Sequence, residues 1–421
     1  MDTEKNNNTA GLLVATPIMG AVVGLSSGLL SKWLDLVESF FLHFRENDLM
    51  PVATGTSAQR RLLAVTIGAI IAAVIWFWMQ RHYRPVKLKK AVAGQMMPFC
   101  QTILHVLTQI FYVGTGGSIG RELAPREAGA MLAQHWEQLV DRHPHWRLSG
   151  DDRRLLVAAA AGAGFAGVYI APITGAMFCL EILYQKVSKR AVAVSFTMSA
   201  IATLVGGLFK GWQPYYYISQ DAKFFPHQIL PLLILLAPLL GISGTLFRQA
   251  LQQVSARRAV DWHVLIQLPL VGLLTGLVAT FFPQIAGNGR GVAQLAMNTS
   301  HVSRLTIALL LFGFLAKLVV TLLTIKGGAY GGVLTPSIAL GSTAGVLLGM
   351  LYGLVVPGVN LTQCALVGAV AFLAASQQAP LMALFMLFEV CHLDFSALLP
   401  FCIAAGLSIA TSRWLLSRLD K

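Results

Sequence analysis

Two ten-residue segments hold the residues best suited to chemistry. The first is Gly116-Gly117-Ser118-Ile119-Gly120-Arg121-Glu122-Leu123-Ala124-Pro125, and the second is Gly327-Gly328-Ala329-Tyr330-Gly331-Gly332-Val333-Leu334-Thr335-Pro336. Each closes an apolar run with glycines and opens a new apolar segment at a proline. Glycine lets a backbone turn sharply and approach an ion closely. Proline suits the first turn of a helix, where its missing N–H is not needed. A helix start presents N–H groups and the positive end of the dipole, which attract an anion without a fixed cation. One such start from each segment would build a dehydrated anion site, with Gly120, Arg121, Gly332, Val333, Leu334 and Thr335 as candidates. Glu122 adds a group that titrates. A carboxylate beside an anion site is itself an anion, so it can fill the site when substrate is absent. Protonation neutralises and releases it, and one side chain then both gates the path and carries a proton. The plainer alternative is an ion pair in which Arg121 simply neutralises Glu122.

The elements that position these residues are apolar. Of 421 residues 56% are hydrophobic and only 12% are charged, too few for a soluble coat. Leu62 to Trp78, Leu230 to Leu246 and Leu305 to Leu323 are long enough to cross a hydrocarbon core of about 30 Å. Shorter apolar stretches broken by Gly or Pro imply re-entrant or half-spanning helices buried among neighbours. The sequence thus predicts an all-α polytopic membrane protein with about 16–18 tilted or half-spanning helical segments. At that depth an ionisable pair such as Arg121-Glu122 is a functional hypothesis by default.

Self-similarity divides the chain in two. Pro17-Ile18-Met19-Gly20 has a counterpart in Pro238-Leu239-Leu240-Gly241, and the two glycine-proline segments align 211 residues apart. Ala171-Pro172 with Glu181 aligns with Ala379-Pro380 and Glu389, 208 residues on. Three matches in one order point to paired repeats, at about 11–207 and 228–417, which an odd number of crossings would invert. Residues 11–421 read as one transmembrane domain after a polar tail at 1–10, with no regulatory domain behind it and no leader in front.

The net charge of +13 does not call for nucleic acid, because the basic residues lie between apolar segments. Arg60 and Arg61, Arg153 and Arg154 and the other loop cations report which ends face the cytoplasm, with Arg81 to Lys90, Lys186 to Arg190 and the C-terminus as candidates. The cysteines Cys100, Cys179, Cys364, Cys391 and Cys402 have no metal spacing and read as small core residues. His82, His105 and His392 stand alone, so the chain calls for no metal, no cofactor and no enzymatic chemistry.

Taken together, Gly120-Arg121-Glu122, Gly331 to Pro336, Ala171-Pro172 with Glu181, Ala379-Pro380 with Glu389, and Gly287-Asn288-Gly289 resemble the signature segments of the CLC chloride channel and chloride–proton antiporter family. The resemblance runs from about Gly11 to Ser417 and implies a bacterial inner-membrane homodimer with one pore per subunit. It implies chloride or another small anion as substrate, protons as partner, and a lipid bilayer as surroundings. Glu122 would be the gating glutamate, and the N–H groups of Val333 and Leu334 would line the central anion site. Proton-coupled exchange is favoured, with a passive channel or a fluoride-selective transporter as alternatives.

Four departures qualify the resemblance. One extra residue stands before Pro125, and Glu127 in the nearby Arg126-Glu127 pair competes for the gate. Glu122 is favoured because Gly116 to Gly120 precedes it in the family's manner. Where the family has its central serine this chain has Arg81-His82-Tyr83-Arg84-Pro85, which reads as a basic cytoplasmic loop, with Tyr83 or His82 as a donor near the inner mouth the alternative. The last helix has no pore-lining tyrosine. Ile182, beside Glu181, stands where exchangers keep an internal proton-accepting glutamate.

Overall fold

The computed structural model describes residues 9–47, 51–142 and 146–419. The polar tail up to residue 8 lies outside the described residues. In chain order the helices are α1 (Thr9–Leu42), α2 (Ala58–His82), α3 (Leu88–Val92), α4 (Phe99–Gly114), α5 (Leu123–Val140), α6 (Gly150–Tyr169), α7 (Pro172–Phe178) and α8 (Lys189–Lys210). They continue as α9 (Gln220–Lys223), α10 (Leu230–Ala256), α11 (Val264–Phe281), α12 (Arg290–Met297), α13 (Arg304–Lys326), α14 (Leu334–Gly353), α15 (Leu361–Gln377), α16 (Pro380–Val390) and α17 (Leu398–Leu419). Seventeen helices and no strand occur among the described residues. The sequence expectation of an all-α architecture holds.

Local sequence explains many of the boundaries. The hydroxyls of Ser149, Ser188 and Ser303 accept from the N–H groups of Asp152, Ala191 and Thr306, capping α6, α8 and α13. Asn360 does the same for α15 through the N–H of Gln363. Pro172 and Pro380 open α7 and α16 at the position where a missing N–H costs nothing. Arg61 lies in the first turn of α2 rather than in a loop, and its guanidinium reaches the carbonyls of Ala279 and Thr280 at the end of α11. A cation there satisfies orphan carbonyls and complements the helix dipole.

Among the described residues, eight helices are long and apolar enough to cross a membrane. In the most hydropathic window of α13 only 28% of residues are buried, against 78% in α14. Leu305, Leu315 and Leu208 are exposed, whereas α15 is buried along almost its whole length despite its 17 residues. α13, with its exposed leucines, turns outward, while α14 and α15 fill the interior whatever their length. The same logic corrects the reading of the cysteines: Cys179, Cys364 and Cys391 are buried, but Cys100 and Cys402 are exposed on α4 and α17. An apolar residue suits lipid as well as core, so hydropathy alone does not separate the two.

The repeat is written in the backbone. Ile170 (φ 55°) and Gln378 (φ 56°) end α6 and α15 in the left-handed region, and Ala171 and Ala379 then donate back to Ala166 and Ala374, each at 3.2 Å. The left-handed cap and the back-bond thus both recur 208 residues apart. In the glycine segments Gly117 N bonds Tyr112 O at 2.9 Å and Ala329 N bonds Thr324 O at 3.2 Å. This register is 212 residues, one more than the identity match of the sequence, so the extra residue of the first copy falls between Gly120 and Pro125.

The chain groups into two compact units. The first comprises α1 up to Leu34, Met79–Ile110 and Glu122–Trp212. In it α5 packs on α6 so closely that a Cβ on Gly164 would stand 2.1 Å from Pro125 O. The second comprises Asp35–Trp78, Phe111–Arg121 and the chain from Gln213 onward. Here α14 packs on α15 so that a Cβ on Gly341 would stand 2.7 Å from Gly368 O and one on Gly368 2.5 Å from Gly341 O.

Candidate functional site

In the second unit, the two glycine segments meet at Gly120 and Gly332. These residues exchange both backbone hydrogen bonds, Gly120 N to Gly332 O at 2.7 Å and Gly332 N to Gly120 O at 2.8 Å. The pairing needs bare backbone: a Cβ on Gly331 would stand 2.9 Å from Gly120 O and 2.8 Å from Ile119. Gly116 (φ 104°) and Gly328 (φ 113°) make the turns leading into it, in a region that side chains rarely adopt. Val333 caps α14, which starts at Leu334, two residues after Gly332, and α5 starts at Leu123, three residues after Gly120. Thr335 is fully buried one residue into α14.

Arg121 has a carboxylate partner at Glu46. Its Nη1 lies 3.2 Å from Glu46 Oε2, while Arg290 Nη1 reaches Glu46 Oε1 at 2.8 Å. Both guanidinium groups stand over the Tyr215 ring, 5.3 and 4.2 Å from its centroid. Asn288 donates to the Tyr215 hydroxyl at 2.8 Å and accepts from Arg290 N at 3.0 Å. The cluster borders a cavity of about 40 Å³ lined by Glu38, Glu46, Gly116, Gly287 and Asn288, room for a water-sized guest. Nearby, the fully buried Lys317 donates to Ser118 Oγ at 2.9 Å and to the carbonyl of Gly287 at 2.7 Å. It ties the turn before Gly120 to the Gly287-Asn288-Gly289 turn.

In the first unit Glu122 is fully buried at the N-cap of α5, and Arg126 Nη2 lies 3.9 Å from its Oε1. Residues four apart on a helix lie on one face, which is why Arg126 faces Glu122. Arg126 also donates to the Glu122 carbonyl and stands 4.8 Å from the Phe178 ring centroid. Glu127 has partners of its own: Gln109 donates to its Oε2 at 2.6 Å, and His105 Nε2 lies 3.5 Å from the same oxygen. Tyr83 is not merely part of a basic loop. Its hydroxyl faces Thr102 and Glu127, and burial raises its pKa above the ordinary value.

The sequence singled out Gly120 and Gly332, and the fold joins them. It left Glu46, Tyr215, Arg290 and Lys317 unmarked, and read His105 as solitary. The signal available was weak: Thr102, His105 and Gln109 recur at helical spacing on α4 as a polar face in an apolar helix.

Residues 68–413 match the model of the voltage-gated chloride channel family. The chain belongs to that family. Among relatives, the voltage-gated ClC-type chloride channel ClcB of Escherichia coli O81 (strain ED1a) is 29% identical over 394 residues, covering 90% of each chain. ClcB of Escherichia coli O157:H7 matches to the same extent. The fold is that of a slow cyanobacterial Cl⁻/H⁺ antiporter, at TM-score 0.77 and 18% identity, over 96% of this chain and 95% of that one. A CLC-type fluoride/proton antiporter matches at TM-score 0.69 and 20% identity, over 95% and 96%. With this membership the chloride channel family's multi-pass membrane character applies to the eight apolar helices.

Proposed function

We propose that this protein moves chloride and similar small anions across a bacterial inner membrane, by proton-coupled exchange gated by Glu122. The observation that carries the reading is the reciprocal Gly120–Gly332 pair, within three residues of which both α5 and α14 begin. Helix starts leave N–H groups outside the helix's own ladder, and these recognise charge. Val333, Leu334 and Thr335 at the start of α14 form the anion-binding set, beside Gly120 and Gly332, whose own N–H groups are spent on each other, and Arg121, which Glu46 holds. Glu122 competes with the anion as a carboxylate and withdraws when protonated, so anion and proton movements are linked through one side chain. Its ClcB relatives carry a channel name and the cyanobacterial neighbour an antiporter one, which supports anion movement and leaves the coupling to experiment. The family resemblance supports a homodimer with one path per subunit.

The test is chloride efflux and proton uptake in vesicles holding the purified protein under opposed chloride and proton gradients. Chloride should drive protons uphill. Glu122→Gln should keep anion flux and lose both its pH dependence and its coupled proton movement. If Glu127→Gln has that effect and Glu122→Gln does not, the gate is Glu127. Chloride flux without proton movement in the wild-type protein would make it a passive channel.

A further inference from the structure

Four ionisable side chains of the first unit are gathered in one buried place. Glu122 is 0% exposed, His105 1%, Glu127 4% and Arg126 8%. Arg126 faces Glu122, Glu127 and the Tyr169 hydroxyl at once, and His105 stands on α4 against Glu127. With histidine neutral, two carboxylates share one guanidinium, so the group carries a formal charge of −1. Isolated charge in such surroundings is expensive, and the inexpensive state is neutral. One bound proton makes it so. We propose that Glu122, Arg126, Glu127 and His105 form a single proton-binding unit, in which Glu127 with His105 takes the proton from the inner side and passes it to Glu122.

The inference rests on the exchange reading and supplies what Ile182 withholds, an acceptor on the inner half of the path. Glu127 stands five positions after Glu122, a rise of about 7.5 Å along α5 and about 140° around it, so the two carboxylates are linked through Arg126, which faces both. The polar face of α4 follows the same line, with Thr102, His105 and Gln109 all buried. Gln109 holds Glu127 by its amide, which donates to an ionised carboxylate and stays in place when the acid is protonated. Access comes from Tyr83, whose hydroxyl faces Thr102 and Glu127. Tyr83 belongs to the basic stretch Arg81 to Lys90, the kind of segment that stays in the cytoplasm. The proton passes from inner water by way of the Tyr83 hydroxyl to Glu127 or His105, then to Glu122, and leaves from Glu122 to the opposite side. No bond other than those to the proton is made or broken.

The measurement is the ratio of protons to chloride moved in the vesicle assay, for the full-length protein and for Glu127→Gln, His105→Gln, Tyr83→Phe and Glu127→Asp. Glu127→Gln should lower the ratio at least fivefold, and Tyr83→Phe and His105→Gln about two- to threefold. Glu127→Asp, which keeps the acid, should restore most of it. A merely structural role would lower both fluxes together and leave the ratio where it was. If the wild type couples protons to chloride and none of these variants changes the ratio, the proton-binding unit is wrong and exchange stands. If the wild type moves chloride but no protons, the exchange reading itself falls, and this route with it.

Discussion

Glu46→Gln is the substitution whose cost the structure defines best. Glu46 is the shared counter-ion of Arg121 and Arg290, at 3.2 and 2.8 Å, and the three side chains are only 10%, 6% and 5% exposed. Removing one member of a buried ion pair strands its partner and costs about 3–5 kcal/mol, far above the worth of a surface pair. Glutamine keeps an acceptor oxygen for one guanidinium, so the expected loss is toward the lower end, about 3 kcal/mol. The same change raises the formal charge of the three side chains from +1 to +2, which draws the two arginines apart over Tyr215. The assay is unfolding of the purified protein in detergent, followed by tryptophan fluorescence, for Glu46→Gln, Arg121→Met and the double variant. The two substitutions should be strongly coupled, by about 1.5 kcal/mol or more, because each removes the partner the other strands. If their effects add to within about 0.5 kcal/mol, Arg121 and Glu46 are not an energetic pair and the argument fails.

Other outcomes follow from the packing and from the anion site. Gly164→Ala should destabilise the protein by about 1–3 kcal/mol, because the added Cβ meets Pro125 O at 2.1 Å. Gly55→Ala, with nothing within 4 Å of its Cβ, should change stability by no more than about 0.5 kcal/mol in the same unfolding assay. Backbone N–H groups recognise charge and size, so chloride, bromide and nitrate should permeate with modest discrimination in a competition flux assay. A strong preference for fluoride there would remove the chloride reading.

Periodicity and punctuation alone make much of this protein legible. Apolar runs mark α2, α10 and α13, prolines mark the starts of α7 and α16, and serine caps sit where the helices begin. These are local effects, decided by residues within one turn of each other. The repeat is legible for the same reason, since equal local sequence produces equal local backbone, down to the left-handed Ile170 and Gln378. The one-residue register error in the glycine segments has a physical cause too. Identities cannot say on which side of Gly120 an extra residue is absorbed, and only the pairing of Gly120 with Gly332 decides it.

What the sequence by itself determined is therefore the class of the protein, its helices, its two-fold repeat, and the two segments from which an anion site can be built. What only the tertiary structure decided is which charge answers which. Arg121 stands next to Glu122 in sequence yet pairs with Glu46, 75 residues away, and Glu122 faces Arg126 one turn on. His105 gains its carboxylate, and Tyr83 turns inward, through contacts between helices that no spacing encodes. In an apolar chain the lipid-facing and core-facing residues are chemically alike, so hydropathy leaves their places open. Buried charges have no such freedom: each must find a partner, and the fold alone brings that partner within reach.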